Sequence, residues 1–160
     1  MLAAVFGDTL FDVLKSVHVL FAALWVGGNF ALMVAINLAF FSRNPQRQAV
    51  ILRTTELIGQ RIFTPLALIV VAVGIWMVVR YDNVFDFGNF WVSYGLGAFV
   101  LTFILGAGFL GPRSGRAAEE IEAGLDQDAV IRNSVPFRLV ALVDTFLLWS
   151  VVVVMVVKPT

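Results

Sequence analysis

The sequence predicts an all-α, polytopic membrane protein whose four transmembrane helices form an up-and-down bundle. Three observations carry that reading. Residues 16–42, 62–79 and 87–112 contain no Asp, Glu, Lys or Arg, and residues 139–157 contain one, Asp144. A hydrocarbon core of about 30 Å needs about 20 helical residues at about 1.5 Å each, so each run is long enough to cross. The chain is 60% hydrophobic with a mean hydropathy of +0.92, which leaves little of its 160 residues for a soluble domain. Finally, the basic residues gather in two of the three connectors, as the positive-inside rule requires of cytoplasmic loops.

The spans are expected at about 11–41, 62–80, 88–111 and 138–157, in one domain covering 1–160, with cytoplasmic connectors at 42–61 and 112–137. Arg43, Arg47, Arg53 and Arg61 lie in the first connector, and Arg113, Arg116, Arg132 and Arg138 in or beside the last. The short middle loop offers Arg80 with Asp82 and Asp86. This distribution implies an N-out, C-out protein of a bacterial cytoplasmic membrane. Met1 to Leu10 hold no Lys or Arg, so the first span lacks the charged lead of a cleavable signal and should remain as a helix.

Local signals justify each element. Asn44 before Pro45 reads as an N-cap with proline at the first helical position, so the second helix should begin well before the membrane. Residues 46–61 mix Gln46, Arg47, Arg53, Glu56 and Gln60 with Val50, Ile51, Leu57 and Ile58, which suits an amphipathic extension. Pro65 should kink that helix, with Thr64 available to satisfy the freed carbonyl. Trp76, Tyr81 and Trp91 flank the middle loop, where amphipathic rings favour the interface. The third span carries Gly95, Gly97, Gly106, Gly108 and Gly111, and small residues let helices approach closely in lipid. Gly111-Pro112 should end it, Ser114 to Ala123 should form a short surface helix, and Pro136 should precede the last span. No internal repeat stands out.

Several function classes fall away. The formal charge is zero and no basic tract suggests nucleic acid as a partner. Without cysteine there is no disulfide framework, thiolate metal site or cysteine nucleophile. Metalloprotease, phosphate-loop and dinucleotide motifs are absent. His18 and Asp144 lie about 17 Å apart along the membrane normal, too far for a catalytic triad. These absences lean away from an enzyme without excluding one.

The informative residues are the polar ones inside the spans. His18, Trp25 and Asn29 lie at helical spacings that put them on one face of the first span. Counting from Lys15 places Asn29 about 21 Å from the outer boundary, and counting from Arg138 places Asp144 about 9 Å from the inner one. If the first and last spans lie side by side in opposite senses, Asn29 is level with Asp144, and His18 with Met155. Thr102 falls near the inner level and Met77 near the outer.

Each level has two readings. Asn29 and Asp144, with Thr102, could simply latch helices together, or Asp144 could be a proton-titrating carboxylate, because an embedded acid is expensive and usually functional. His18 with Met155 and Met77, beside Trp25, offers imidazole and thioether ligands suited to haem b or copper. Methionine equally fills irregular gaps, and a lone histidine can hydrogen-bond a neighbouring helix.

The run from Lys15 and His18 through Trp25, Gly27 and Gly28 is similar to a family of short, uncharacterised bacterial integral membrane proteins. So are Arg61 to Pro65 and the segment Met155 to Pro159. That resemblance implies a four-helix inner-membrane protein. More distantly, His18 with Trp25 seven residues on resembles the copper-resistance D-like proteins and the small haem-binding protoporphyrinogen oxidases. The resemblance implies a metal or haem role for His18. Residues Asn29 to Met33 depart from the oxidase pattern, lacking its Pro-Arg element.

Haem b or copper handling through His18 near the outer face is the preferred specific expectation, with a cofactor-free assembly protein docking through helix surfaces as the alternative and a small proton-coupled carrier around Asp144 as the second alternative. The expected partners are the lipid bilayer and a second copy or another membrane protein.

Overall fold

A computed structural model describes residues 9–42, 44–82 and 85–158. Arg43, Pro159 and residues 1–8, all used above, lie outside the described residues. Helix α1 spans Thr9–Phe41, α2 Pro45–Arg80, α3 Phe90–Glu122, α4 Gln127–Asn133 and α5 Val135–Val157. Among the described residues there is no strand, and α1, α2, α3 and α5 are each long and apolar enough to cross a membrane. Large apolar side chains line the outside of the bundle, with Phe41 73% and Val156 77% exposed. Water would penalise so broad an apolar surface; lipid does not.

The spans close into a ring. α1 packs on α2 and α5, and α3 packs on α5 and α2. Thus the first and last spans are neighbours, joined by the Phe30 and Trp149 rings at 5.5 Å. At the end with the short loop, Phe11, Leu14, Val78, Tyr81, Phe85 and Val92 form an apolar cluster. Lys158 covers it, its Nζ 5.1 Å from the centre of the Trp91 ring. Between α3 and α5, Tyr94 Oη and Ser150 Oγ share a hydrogen bond of 2.6 Å.

Asn44 caps α2 as its sequence suggests, accepting from the Arg47 amide at 3.2 Å with Pro45 in the first turn. The third helix corrects the sequence reading. It does not stop at Gly111-Pro112; it continues to Glu122, so Ser114 to Ala123 is no separate surface helix. Likewise Pro136 lies inside the first turn of α5 rather than before it.

One device lets both α2 and α3 run through proline. A proline at position i cannot donate to carbonyl i−4, and its ring crowds that carbonyl. In α2 the turn Gly59–Phe63 is widened to π geometry, and the Thr64 amide bonds back to Gly59 O. In α3 the stretch Ile104–Leu110 is π, and the Gly111 amide bonds back to Gly106 O. Thr64 Oγ1 adds a second hydrogen bond to Gly59 O at 3.1 Å. In each case the amide just before the proline bonds back to a glycine six residues ahead of that proline, Gly59 before Pro65 and Gly106 before Pro112.

Beyond the spans, the start of α2 and the end of α3 pack as a pair. Leu52 and Ala118 are fully buried between them, next to Phe137 and Ala117. The buried face of α2 is Gln48, Ala49, Leu52 and Thr55, whereas Val50 and Leu57 are exposed. Of the apolar residues expected on this extension, Ile51 packs partly buried against the core, whereas Val50 and Leu57 turn outward: the small face of α3, with Ser114, Gly115, Ala117 and Ala118, selects what can approach it. Ser114 Oγ donates to Leu52 O at 2.8 Å, and the Glu56 carboxylate occupies the space that a side chain at Gly115 would fill. Arg53 reaches Glu56, Glu119 and Glu122 at 3.3, 3.5 and 3.2 Å.

Candidate functional site

The face of α1 that carries His18, Trp25 and Asn29 turns inward, and each residue meets a different span. His18 Nδ1 bonds Val70 O of α2 at 2.9 Å, and its ring packs over Gly74. Trp25 stands edge-on to the Phe99 ring of α3 at 5.9 Å. Asn29 Nδ2 donates to Asp144 Oδ2 of α5 at 3.1 Å. One helix face therefore serves three neighbours, because α1 looks across the whole ring.

Asp144 is 3% exposed, and its second oxygen, Oδ1, is buried with no hydrogen-bond partner among the described residues. It lines a cavity of about 80 Å³ bounded by all four spans. Trp25, Asn29 and Thr102 share that lining, as do Thr55, Phe63 and Thr64 of α2. Measured this way a water needs only about 10–15 Å³, so a small water cluster fits. Thr102 is itself buried and donates its hydroxyl to Phe99 O at 3.1 Å.

The two π-turns form the part of the wall nearer the α2–α3 pair. Gly59 and Phe63 come from one, Gly106, Ala107 and Leu110 from the other. A π-turn adds a residue to the turn and pushes backbone outward from the helix axis. Here two such turns face one another, and the embedded carboxylate lies on the same cavity. Sequence reasoning missed this half of the site. Its signal was present as two runs, Gly59 to Pro65 and Gly106 to Pro112, with the same glycine-to-proline spacing.

The proposed ligand residues fall elsewhere. Met155 rests against Gly95 of α3, its Cε filling the space of the missing side chain. Met77 packs against the apolar cluster at the short-loop end. His18 bonds α2 through Nδ1 alone, and the contacts described for Met155 and Met77 are packing contacts with α3 and with the short-loop cluster. Among the described residues no group of three or more His, Asp or Glu side chains is arranged to hold a metal ion. The His18 bond still has chemical content. A carbonyl can only accept, so Nδ1 carries the proton, and in the neutral ring Nε2 keeps its lone pair.

Comparison with known proteins gives one positive result: a family model described as "Predicted integral membrane protein (DUF2269)" matches residues 12–159. No curated protein and no solved structure matches, so no relative supports the copper-resistance D-like or protoporphyrinogen oxidase resemblance. The matched region takes in every span and the cavity they enclose. The chain is a multi-pass integral membrane protein, and it belongs to the DUF2269 family.

Proposed function

We propose that this protein binds and releases a proton at Asp144, as the working site of a small proton-coupled membrane carrier. The observation that carries the reading is Asp144 Oδ1, a carboxylate oxygen buried within a span, without a hydrogen-bond partner among the described residues, on a cavity with room for water. A purely structural latch needs only the oxygen that Asn29 meets. Leaving the other without a partner costs free energy, which a structural role does not explain. π-turns recur at functional sites, and two of them shape this cavity.

The rest of the reading follows the charge pattern. The connectors rich in arginine would face the cytoplasm of a bacterial cell, both termini the outside, and the cavity would lie toward the cytoplasmic side. Four spans make a small carrier, so a homodimer is part of the proposal. The test is infrared difference spectroscopy of purified protein in lipid between about pH 4 and pH 9. A carboxylic C=O band that appears with acid and is missing in Asp144→Asn is the expected result. A carboxyl group that keeps one state throughout rejects the proposal.

A second reading keeps His18 as a ligand of haem b or copper. In its favour, metal-binding histidines are usually held by the other ring nitrogen donating to a carbonyl or carboxylate, as Nδ1 does to Val70 O. A haem held by two histidines would need His18 of a second copy. Protein from cells supplied with haem and copper should show a Soret band or bound copper that His18→Ala removes. Colourless, copper-free protein rejects it.

A further inference from the structure

We propose a second site, independent of Asp144: a groove between the end of α1 and the start of α5 that holds an anionic phospholipid by its phosphate. Asn37, Val135, Arg138, Leu139 and Leu142 line an open cavity of about 260 Å³. Arg138 is the only charged residue among them, and it is held in place. Its Nε donates to Asn37 Oδ1 at 3.0 Å, and its guanidinium carbon stands 5.1 Å over the Phe41 ring. Asn37 is oriented in turn, donating Nδ2 to Met33 O at 2.9 Å, which turns its carbonyl oxygen toward the arginine.

Among the described residues no carboxylate pairs with Arg138; the ion pairs there belong to Arg53. With Nε occupied, the guanidinium keeps its two Nη groups, the fork that meets phosphate oxygens. Val135, Leu139 and Leu142 recur at helical spacing as an apolar stripe exposed by 48, 56 and 39%, with Val135 one turn above Arg138 and the two leucines below it. Residues 139–143 are the first uncharged residues of the last span. The charge therefore sits where headgroups lie, and the stripe runs into the depth of acyl chains. A free phosphate would use only Arg138, whereas a lipid uses both parts of the groove. Net negative headgroups are favoured because Arg138 is unneutralised.

The test is lipid retention by the full chain in nanodiscs of equal phosphatidylglycerol and phosphatidylcholine, read by native mass spectrometry. Wild type should retain phosphatidylglycerol selectively. Arg138→Gln, whose amide can still meet Asn37, should lower that retention about fivefold, the value of one basic residue near an anionic surface. Leu142→Gln, which leaves Arg138 and Asn37 paired, should lower it as well. Equal retention by wild type and Arg138→Gln overturns the proposal, as does full displacement of the lipid by millimolar inorganic phosphate. Should Arg138→Gln fail to fold, undiminished retention by Leu142→Gln overturns it on its own.

Discussion

Asn29 and Asp144 meet at 3.1 Å across the first and last spans, amide donating to carboxylate, while the other carboxylate oxygen stays without a partner among the described residues. Two substitutions separate the energetics of this pair. Asn29→Ala strips the carboxylate of its donor and should cost about 1–3 kcal/mol, the penalty of an orphaned buried group. Asp144→Asn keeps an amide partner and removes an embedded acid, so it should change stability by less than about 1 kcal/mol. Unfolding in mixed micelles measures both. Equal losses in the two variants would show that the carboxylate itself, rather than any hydrogen-bonding group, holds the helices together.

Much of this arrangement is legible in the chain because membrane helices are constrained in length and depth. The four apolar runs give the spans, and counting from Lys15 and Arg138 puts Asn29 level with Asp144. Depth is a one-dimensional quantity and sequence carries it. Which neighbour a residue faces around the ring is not, so His18 meeting Val70 and Met155 meeting Gly95 had to come from packing. Pro112 misled for a different reason. Proline after glycine ordinarily marks a helix end, but a π-turn upstream absorbs the lost hydrogen bond and the helix continues to Glu122. The buried side of α2 is only partly legible in its own residues, because its partner is the small-residue face of α3 that exists only where that helix continues past Pro112.

The π-turn in α3 should depend on Pro112. Alanine there restores an amide able to reach the carbonyl four residues back, which favours closing the turn to α geometry and drawing the cavity wall inward. The absence of cysteine makes a clean reporter available. A single cysteine at Ala107, which lines the cavity, should react with a small water-borne thiol reagent. One at Leu101, 48% exposed on the bundle's outer side, should not, because a thiolate does not form in hydrocarbon. Adding Pro112→Ala to Ala107→Cys should slow the reaction; an unchanged rate means the wall does not depend on proline.

Glycines of the spans should divide into two groups on substitution. A Cβ on Gly28 would run into the Phe63 ring, so Gly28→Ala overpacks the contact between α1 and α2 and should cost about 1–3 kcal/mol. Gly97 and Gly108 have nothing within 4 Å of that position. Alanine at either should be neutral or stabilising by up to about 1 kcal/mol, from reduced backbone freedom alone. If Gly108→Ala weakens the protein in lipid, the loss must come from a contact with another molecule, and crosslinking in the same membranes would detect it.

Outside the spans, the α2–α3 pair is held by burial, with the ion cluster as an accessory. Leu52 is fully buried and Arg53, beside it, is half outside, with a side-chain exposure of 37%. Leu52→Ala opens a cavity against Ala118 and should cost about 2–5 kcal/mol. Arg53 satisfies three glutamates, but exposed pairs are screened within about 10 Å at 0.1 M salt. Arg53→Ala should therefore lower the melting temperature slightly in dilute buffer, with the difference fading as salt is added. Removing Arg53 also leaves Glu56 facing Glu119 and Glu122 without a counter-charge, so whatever loss appears should be largest at low ionic strength. A salt-independent loss as large as that of Leu52→Ala would make the cluster, rather than the leucine, the element that joins the two helices.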